Sequence, residues 1–315
     1  MASNTDHLRP NAAASSAAGG PDRRSDDAPV VVRKTENPWR GVARSLIKHP
    51  AFIGGGVIFL AFLVMATFAP LLAPHDPSQL GVGPGLTPPG RAHLMGTDDF
   101  GRDIWSRVVF GSRISLAVGF LAVAISVTIG TLVGLVAGYN QRKLDSLLMR
   151  LMDVLLAFPG LMLALAVAAV MGTGLVSVII AVGVAGIPNF ARIVRSAVMG
   201  ESEKEYILAA RTTGCSTRRI LRAHIFPNVT APVIVMATLY LAFAVLAAAS
   251  LSFLGVGVQP PTPEWGAMTS AGRHILVVGW WVSTFPGLMI VLFVLSVNVM
   301  GDALRDALDS TLRHV

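Results

Sequence analysis

Residues 205–228 read EYILAARTTGCSTRRILRAHIFPN, a charged stretch between apolar runs whose residue types suit recognition of a partner, not bond-making. Tyr206, Ala209, Ala210 and Thr213 share one face at helical spacing, and small side chains there let another protein's backbone come close. Arg211, Arg218, Arg219 and Arg222 add a cationic rim. Glu201, Glu203 and Glu205 precede the helical stretch 206–213, where negative charge favours the N-terminus, and Gly214 permits a reversal that a side-chain-bearing residue resists. Pro227 is expected to stop a second short helix, with Pro232 tolerated in the first turn of the next. The plain alternative is a solvated basic loop with no partner.

Other chemistry is poorly supplied. Cys215 is the only cysteine, so no internal disulfide forms, and it reads as a reduced thiol in a packing role. His7, His49, His75, His93, His224, His274 and His314 are scattered without the close spacing of a zinc or iron site. No Ser/His/Asp, paired-carboxylate or Cys/His set converges by motif, so no catalytic residue is assigned. The glycine runs at 54–56 and 81–90 lack the lysine and strand context of a phosphate loop, and no cofactor is expected on this chain.

The elements that must carry the elbow are membrane helices. Of 315 residues, 53% are hydrophobic and 14% charged, and the formal charge of +7 flanks apolar spans without forming the long basic patch that nucleic acid would need. A bilayer core of about 30 Å takes roughly 20 apolar residues in a helix. Six stretches qualify: 51–73, 114–139, 147–171, 175–194, 233–255 and 283–300. Pro159, Pro188 and Pro286 invite kinks, as packing bends or as gating hinges. Residues 1–35, polar and without an apolar run, read as a disordered cytoplasmic tail and not as a cleaved signal. Residues 36–50 read as an interfacial amphipathic helix, with Trp39, Val42, Ala43 and Leu46 on one side and Arg40, Arg44 and Lys48 on another.

Six crossings put Arg33, Lys34, Arg40, Arg44, Lys48, Arg142, Lys143, Arg150, the elbow arginines, Arg305 and Arg313 on one side, which the positive-inside rule makes cytoplasmic, with both termini. The opposite side receives residues 74–113, where Arg91, Arg102, Arg107 and Arg113 are offset by Asp76, Asp98, Asp99 and Asp103. The charges at 98–103 suit either structural ion pairing or substrate contact. In the external loop 256–282, Gln259-Pro260-Pro261-Thr262-Pro263 cannot continue a helix, which presents Glu264 and Trp265 on an outer loop or buries Trp265 against the bundle. Asp153, Asn189 and Asn298 lie in or beside spans, and Asp153 is expected to pair with Arg150.

Ala209-Ala210, then Gly214, then nine residues before His224-Ile225-Phe226-Pro227, resembles the EAA loop of permease subunits of ATP-binding-cassette (ABC) importers. Residues 96–116, GTDDFGRDIWSRVVFGSRISL, and 251–268, LSFLGVGVQPPTPEWGAM, are similar to segments of the C-type permeases of the dipeptide and oligopeptide family, and the resemblance runs from about residue 36 to the C-terminus. It implies an all-α integral membrane protein with six transmembrane helices and the type I ABC importer permease fold, residues 114–315 forming a five-helix core after the span at 51–73. It implies a non-catalytic subunit that forms half of a pathway for peptides beside a second, similar permease. Two ATP-binding subunits, separate or fused, would carry ATP and Mg, and an extracytoplasmic substrate-binding protein would deliver cargo. The loop 201–228 would couple to the ATPases through Glu205, Ala209, Ala210, Arg211, Gly214, Arg218, Arg219 and Pro227. Gln259, Glu264 and Trp265 would reach toward the binding protein. Leu208 stands where the family has its Glu. Nickel, glutathione or another small solute is the alternative cargo. An ion-gradient-driven transporter using Asp153 and Asn298 is the alternative class, and a membrane-embedded enzyme a third, which lacks a catalytic constellation.

Overall fold

The computed structural model describes residues 38–140 and 143–312. The expected tail at 1–35, Arg142, Arg313 and the side chains of Trp39, Arg40 and Arg44 lie outside the described residues. Helix α1 (Pro38–Lys48) is amphipathic, and its Val42 and Leu46 pack on Leu304, Ala307 and Leu308 near the C-terminus and on Ala231 and Val235. These contacts bury Val42 and half-bury Leu46, while Ala43 of the expected apolar side stays exposed.

Helix α2 (Pro50–Thr67) starts on a proline that needs no intrahelical donor, and at 18 residues it is about 27 Å long, the thickness of a bilayer core. A single turn, α3 (Ala69–Leu72), leads into a long loop. Helix α4 (Ile104–Tyr139) begins ten residues before the apolar run that marked the expected span. Asp103 caps it, its carboxylate accepting from Ser106 N at 2.8 Å. The two arginines that obscured this start are spent on carbonyls. Arg107 donates to Pro77 O at 2.8 Å and Pro261 O at 3.3 Å, and Arg113 to Ala66 O at 2.5 Å and Thr67 O at 2.9 Å at the outer end of α2.

The third expected span is broken. Helix α5 (Lys143–Leu156) and α6 (Gly160–Met171) meet at 90° across Ala157-Phe158-Pro159, because proline lacks the donor and forces its predecessor out of helical geometry. Helix α7 (Leu175–Ser202) runs unbroken through Pro188. It is followed by α8 (Glu205–Thr212), α9 (Thr217–Ile220), α10 (Phe226–Phe253), α11 (Trp265–Gly272) and α12 (Trp281–Leu312), which contains Pro286. Among the described residues five helices are long and apolar enough to cross a membrane, six crossings if the bent pair counts as one.

Packing decides that count. Cβ atoms built at Gly130, Gly134 and Gly138 of α4 would meet Ile187 and Phe190, then Ala191 and Val194, then Arg195 and Val198 of α7. Both series climb together, so α4 and α7 run parallel, and α5 with α6 must carry the chain back across. The small-residue stripe lets the two backbones approach, as membrane helices do where lipid supplies no competing hydrophobic drive. Ser126 Oγ donates across this seam to Gly183 O at 2.6 Å, and Tyr240 of α10 donates to Val182 O at 2.7 Å. On the other flank α2 runs antiparallel to α12, with Phe62 and Phe293 edge to face at 5.5 Å.

Candidate functional site

The elbow joins α7 to α10 and is built as a hairpin of short helices. Helix α8 ends in paired capping bonds, Cys215 N to Ala210 O at 3.0 Å and Gly214 N to Arg211 O at 3.1 Å, with Gly214 at φ +81°. A Cβ at 214 would meet nothing within 4 Å, so glycine is demanded there by backbone sign and not by space.

The second arm departs from expectation. Residues 217–253 form one continuous helical rod, in which a π-turn at Leu221–Ile225 bridges α9 to α10. Pro227 sits in the first turn of α10 and does not stop the arm. The wider π-turn, closed by Phe226 N to Leu221 O, moves the preceding carbonyl away from the ring. Pro232 therefore lies inside α10 instead of opening a separate span.

The structure sorts the expected residues by face. Glu205, Tyr206, Leu208, Ala209, Arg211, Thr213, Gly214, Arg218, Arg219 and Pro227 are exposed, and Ala210 is half-buried. Ile207 is fully buried with Val194, Val198, Ile220, Ile225 and Val229, and Ala210 and Cys215 pack against that cluster. Tyr206, Ala209, Ala210 and Thr213 thus do not form one free face, because α8 turns Ala210 inward. Arg211 lies over the Tyr139 ring at 5.1 Å, and Ser216, Arg218, Arg219, Arg222 and Ala223 line a shallow groove of about 480 Å³.

Sequence reasoning missed the polar hub beneath. Glu201 is the penultimate residue of α7, buried, and its Oε1 accepts from the Tyr206 hydroxyl and from Asn228 Nδ2 at 3.1 Å. The two hydrogens of Asn228 Nδ2 are shared among this oxygen, the Tyr206 oxygen at 2.9 Å and His224 O at 2.8 Å, while Lys204 Nζ pairs with Oε2 at 2.8 Å. Burial, with the Glu201 carboxylate beside it, pushes the Tyr206 hydroxyl up to about 12. Only the Glu201–Lys204 spacing hinted at this hub, since Asn228 is 27 residues away.

On the opposite end, Glu264 and Trp265 are not presented to solvent: they are 2% and 0% exposed. Glu264 caps α11, accepting from Gly266 N at 2.9 Å, Ala267 N at 2.8 Å and Ser115 Oγ at 3.3 Å. Burial pushes its carboxyl up, and those donors pull it back only in part. Trp265 Nε1 donates to Val108 O at 3.0 Å, and the ring packs on Phe62 and Phe293. Of the two readings, burial against the bundle holds, and the proline run bends the chain inward; Gln259 alone of the three is exposed. Three of the four charges at 98–103 are buried and paired, while Asp99 is exposed: Arg102 pairs with Asp98 at 2.6 Å, and Asp103 accepts from Ser106 and contacts His93 at 3.0 Å.

Asp153 pairs with Arg192 at 2.5 Å rather than with Arg150, and Asp145 holds Arg195 through bonds of 2.6 and 2.7 Å. Both pairs draw α5 onto α7, compensating arginines that would be costly alone beside a bilayer.

Residues 130–314 match the family of binding-protein-dependent transport system inner membrane components, and residues 37–89 match the N-terminal transmembrane domain of oligopeptide transport permease C. The chain is 46% identical over 284 residues to the di/tripeptide transport system permease protein DppC of Pseudomonas aeruginosa, covering 88% of this chain and 94% of the relative. It is 44% identical to the dipeptide permease DppC of Alkalihalophilus pseudofirmus, with 88% and 91% covered. It is 42% identical to the glutathione transport system permease protein GsiD of Pectobacterium atrosepticum, with 90% and 95% covered. A chain of the inward-facing MetNI methionine ABC transporter shares the fold, with a TM-score of 0.52 and 22% identity over 64% of this chain and 96% of that one. A bundle whose elbow falls within the first of these matches is a multi-pass inner-membrane subunit, and the chain belongs to the ABC importer permeases of the dipeptide/oligopeptide family as a C-type component.

Proposed function

We propose that this non-catalytic subunit forms half of a translocation pathway for di- and oligopeptides beside a second, similar permease, with both termini cytoplasmic. Two ATPase subunits, separate or fused, bind ATP and Mg and grip the elbow, while an extracytoplasmic binding protein delivers cargo. The elbow carries the reading: its exposed Ala209 admits a close backbone, and its exposed Arg211, Arg218 and Arg219 offer a cationic rim to acidic groups. Gly214 sets the turn, Glu205 opens α8, and Pro227 follows the π-turn inside the second arm. At the outer face Gln259 is the residue left to meet the binding protein; Glu264 and Trp265 hold the loop that bears it.

Gly214 tests the docking. Gly214→Val must adopt a left-handed backbone and should lose co-purifying ATPase and ATP-driven uptake, whereas Gly214→Asn, which tolerates that conformation, should retain both. Equal behaviour of the two variants would remove the elbow from the mechanism. A second cargo is favoured by the similarity to a glutathione permease at comparable coverage. Calorimetric titration of the cognate binding protein with dipeptides and with glutathione decides between them.

A further inference from the structure

The geometry points to Glu201 as the positioning residue that locks the elbow to both membrane rods, an inference that rests on reading the elbow as the ATPase-docking element. Helix α8 has eight residues and cannot stand alone. Two things fix it to the bundle. The first is the apolar cluster under Ile207, which resists separation but is non-directional. The second is the polar hub, which sets direction.

One carboxylate oxygen at the end of α7 accepts from Tyr206 in the first turn of α8 and from Asn228 in the first turn of α10, and the latter two are bonded to each other. This closed triangle has one corner on each element. Turning α8 against either rod breaks at least two of its bonds, and the carboxylate, 8% exposed, would then lose partners while still shielded from water. Lys204 on Oε2 balances the charge without joining the triangle. The acidic anchor of this elbow thus belongs to α7 and reaches into the hairpin from the end of that helix. A push on α8 is thereby delivered to α7 and α10 together.

The test uses the whole complex, with second permease and ATPases, in proteoliposomes supplied with its binding protein and a labelled dipeptide which that protein takes. Glu201→Ala and Tyr206→Phe should lower dipeptide taken up per ATP hydrolysed by about tenfold, the loss of one charge-assisted bond from the transmitting state, while the complex elutes intact with its ATPases. Glu201→Gln, which keeps the acceptor oxygen, should recover most of the yield. An unchanged uptake per ATP in Tyr206→Phe overturns the lock, as does a Glu201→Gln as poor as Glu201→Ala. Should Glu201→Ala fail to assemble, Tyr206→Phe decides alone. If the unmodified chain does not retain its ATPases, the docking reading has failed and the lock falls with it; retained ATPases with a fully coupled Tyr206→Phe sink the lock only.

Discussion

Substituting Gly134 by alanine adds one carbon inside the α4–α7 seam. That carbon would stand 2.6 Å from the Ala191 carbonyl oxygen and 2.6 Å from Val194 Cβ, both on or next to the α7 backbone, so no rotamer change relieves it. The overlap is about 1 Å against ordinary carbon contacts, and the helices must part by a comparable amount, which costs about 1–3 kcal/mol. Alanine also returns about 1 kcal/mol of helix propensity, which would mask part of the effect. Gly56→Ala supplies the correction, since it gains the same propensity on α2 and its Cβ would meet nothing within 4 Å. The difference between the two variants isolates the packing cost. At about 2 kcal/mol it places the melting midpoint of Gly134→Ala about 4–8 °C below that of Gly56→Ala, read by thermal unfolding of the detergent-purified complex. Equal midpoints would refute the claim that this seam is closed by the absence of side chains.

Trp265→Ala should destabilise the subunit by about 3–5 kcal/mol, because the ring is fully buried at the junction of α2, α4 and α12; the denaturant midpoint of the purified protein checks this. Glu264 has a native value above its usual 4.5, so its contribution to stability is complete below that value and is withdrawn as pH climbs through the raised one. Stability of the parent relative to Glu264→Gln should therefore fall with rising pH across that window, and a flat or rising difference contradicts the assignment. The paired, half-buried Asp145–Arg195 bridge should show a coupling of about 1.5–3 kcal/mol in a double-mutant cycle. The exposed Asp153–Arg192 pair should show about 0.2–1 kcal/mol.

Periodicity and hydropathy made the spans legible, and residue spacing made the elbow legible, because both are local. The helix starting at Ile104 was hidden because Arg107 and Arg113 looked like loop charges, and the carbonyls that satisfy them lie 30 or more residues away in sequence. Asp103 with Ser106 three residues on was the readable cap. The proline run before Glu264 announces a helix end but not its direction, and inward burial depended on Val108, Phe62 and Phe293 meeting Trp265. Gly130, Gly134 and Gly138 at four-residue intervals were in plain view as a packing stripe. The Glu201 hub had no comparable sign, since its corners come from three helices.

The rod from Thr217 to Phe253 is 37 residues, about 55 Å of uninterrupted helix, and Tyr240 pins it to α7 part-way along. A stiff beam held there behaves as an unequal seesaw: a tilt of about 10° displaces the Thr217 end by about 6 Å and the Phe253 end by about 3 Å in opposite senses. Its far end abuts α11, where the Gly266 backbone lies against Ala249. Displacement of the elbow and displacement of α11 would then be two readings of a single rotation, with no relay of intermediate contacts required between the rod's two ends.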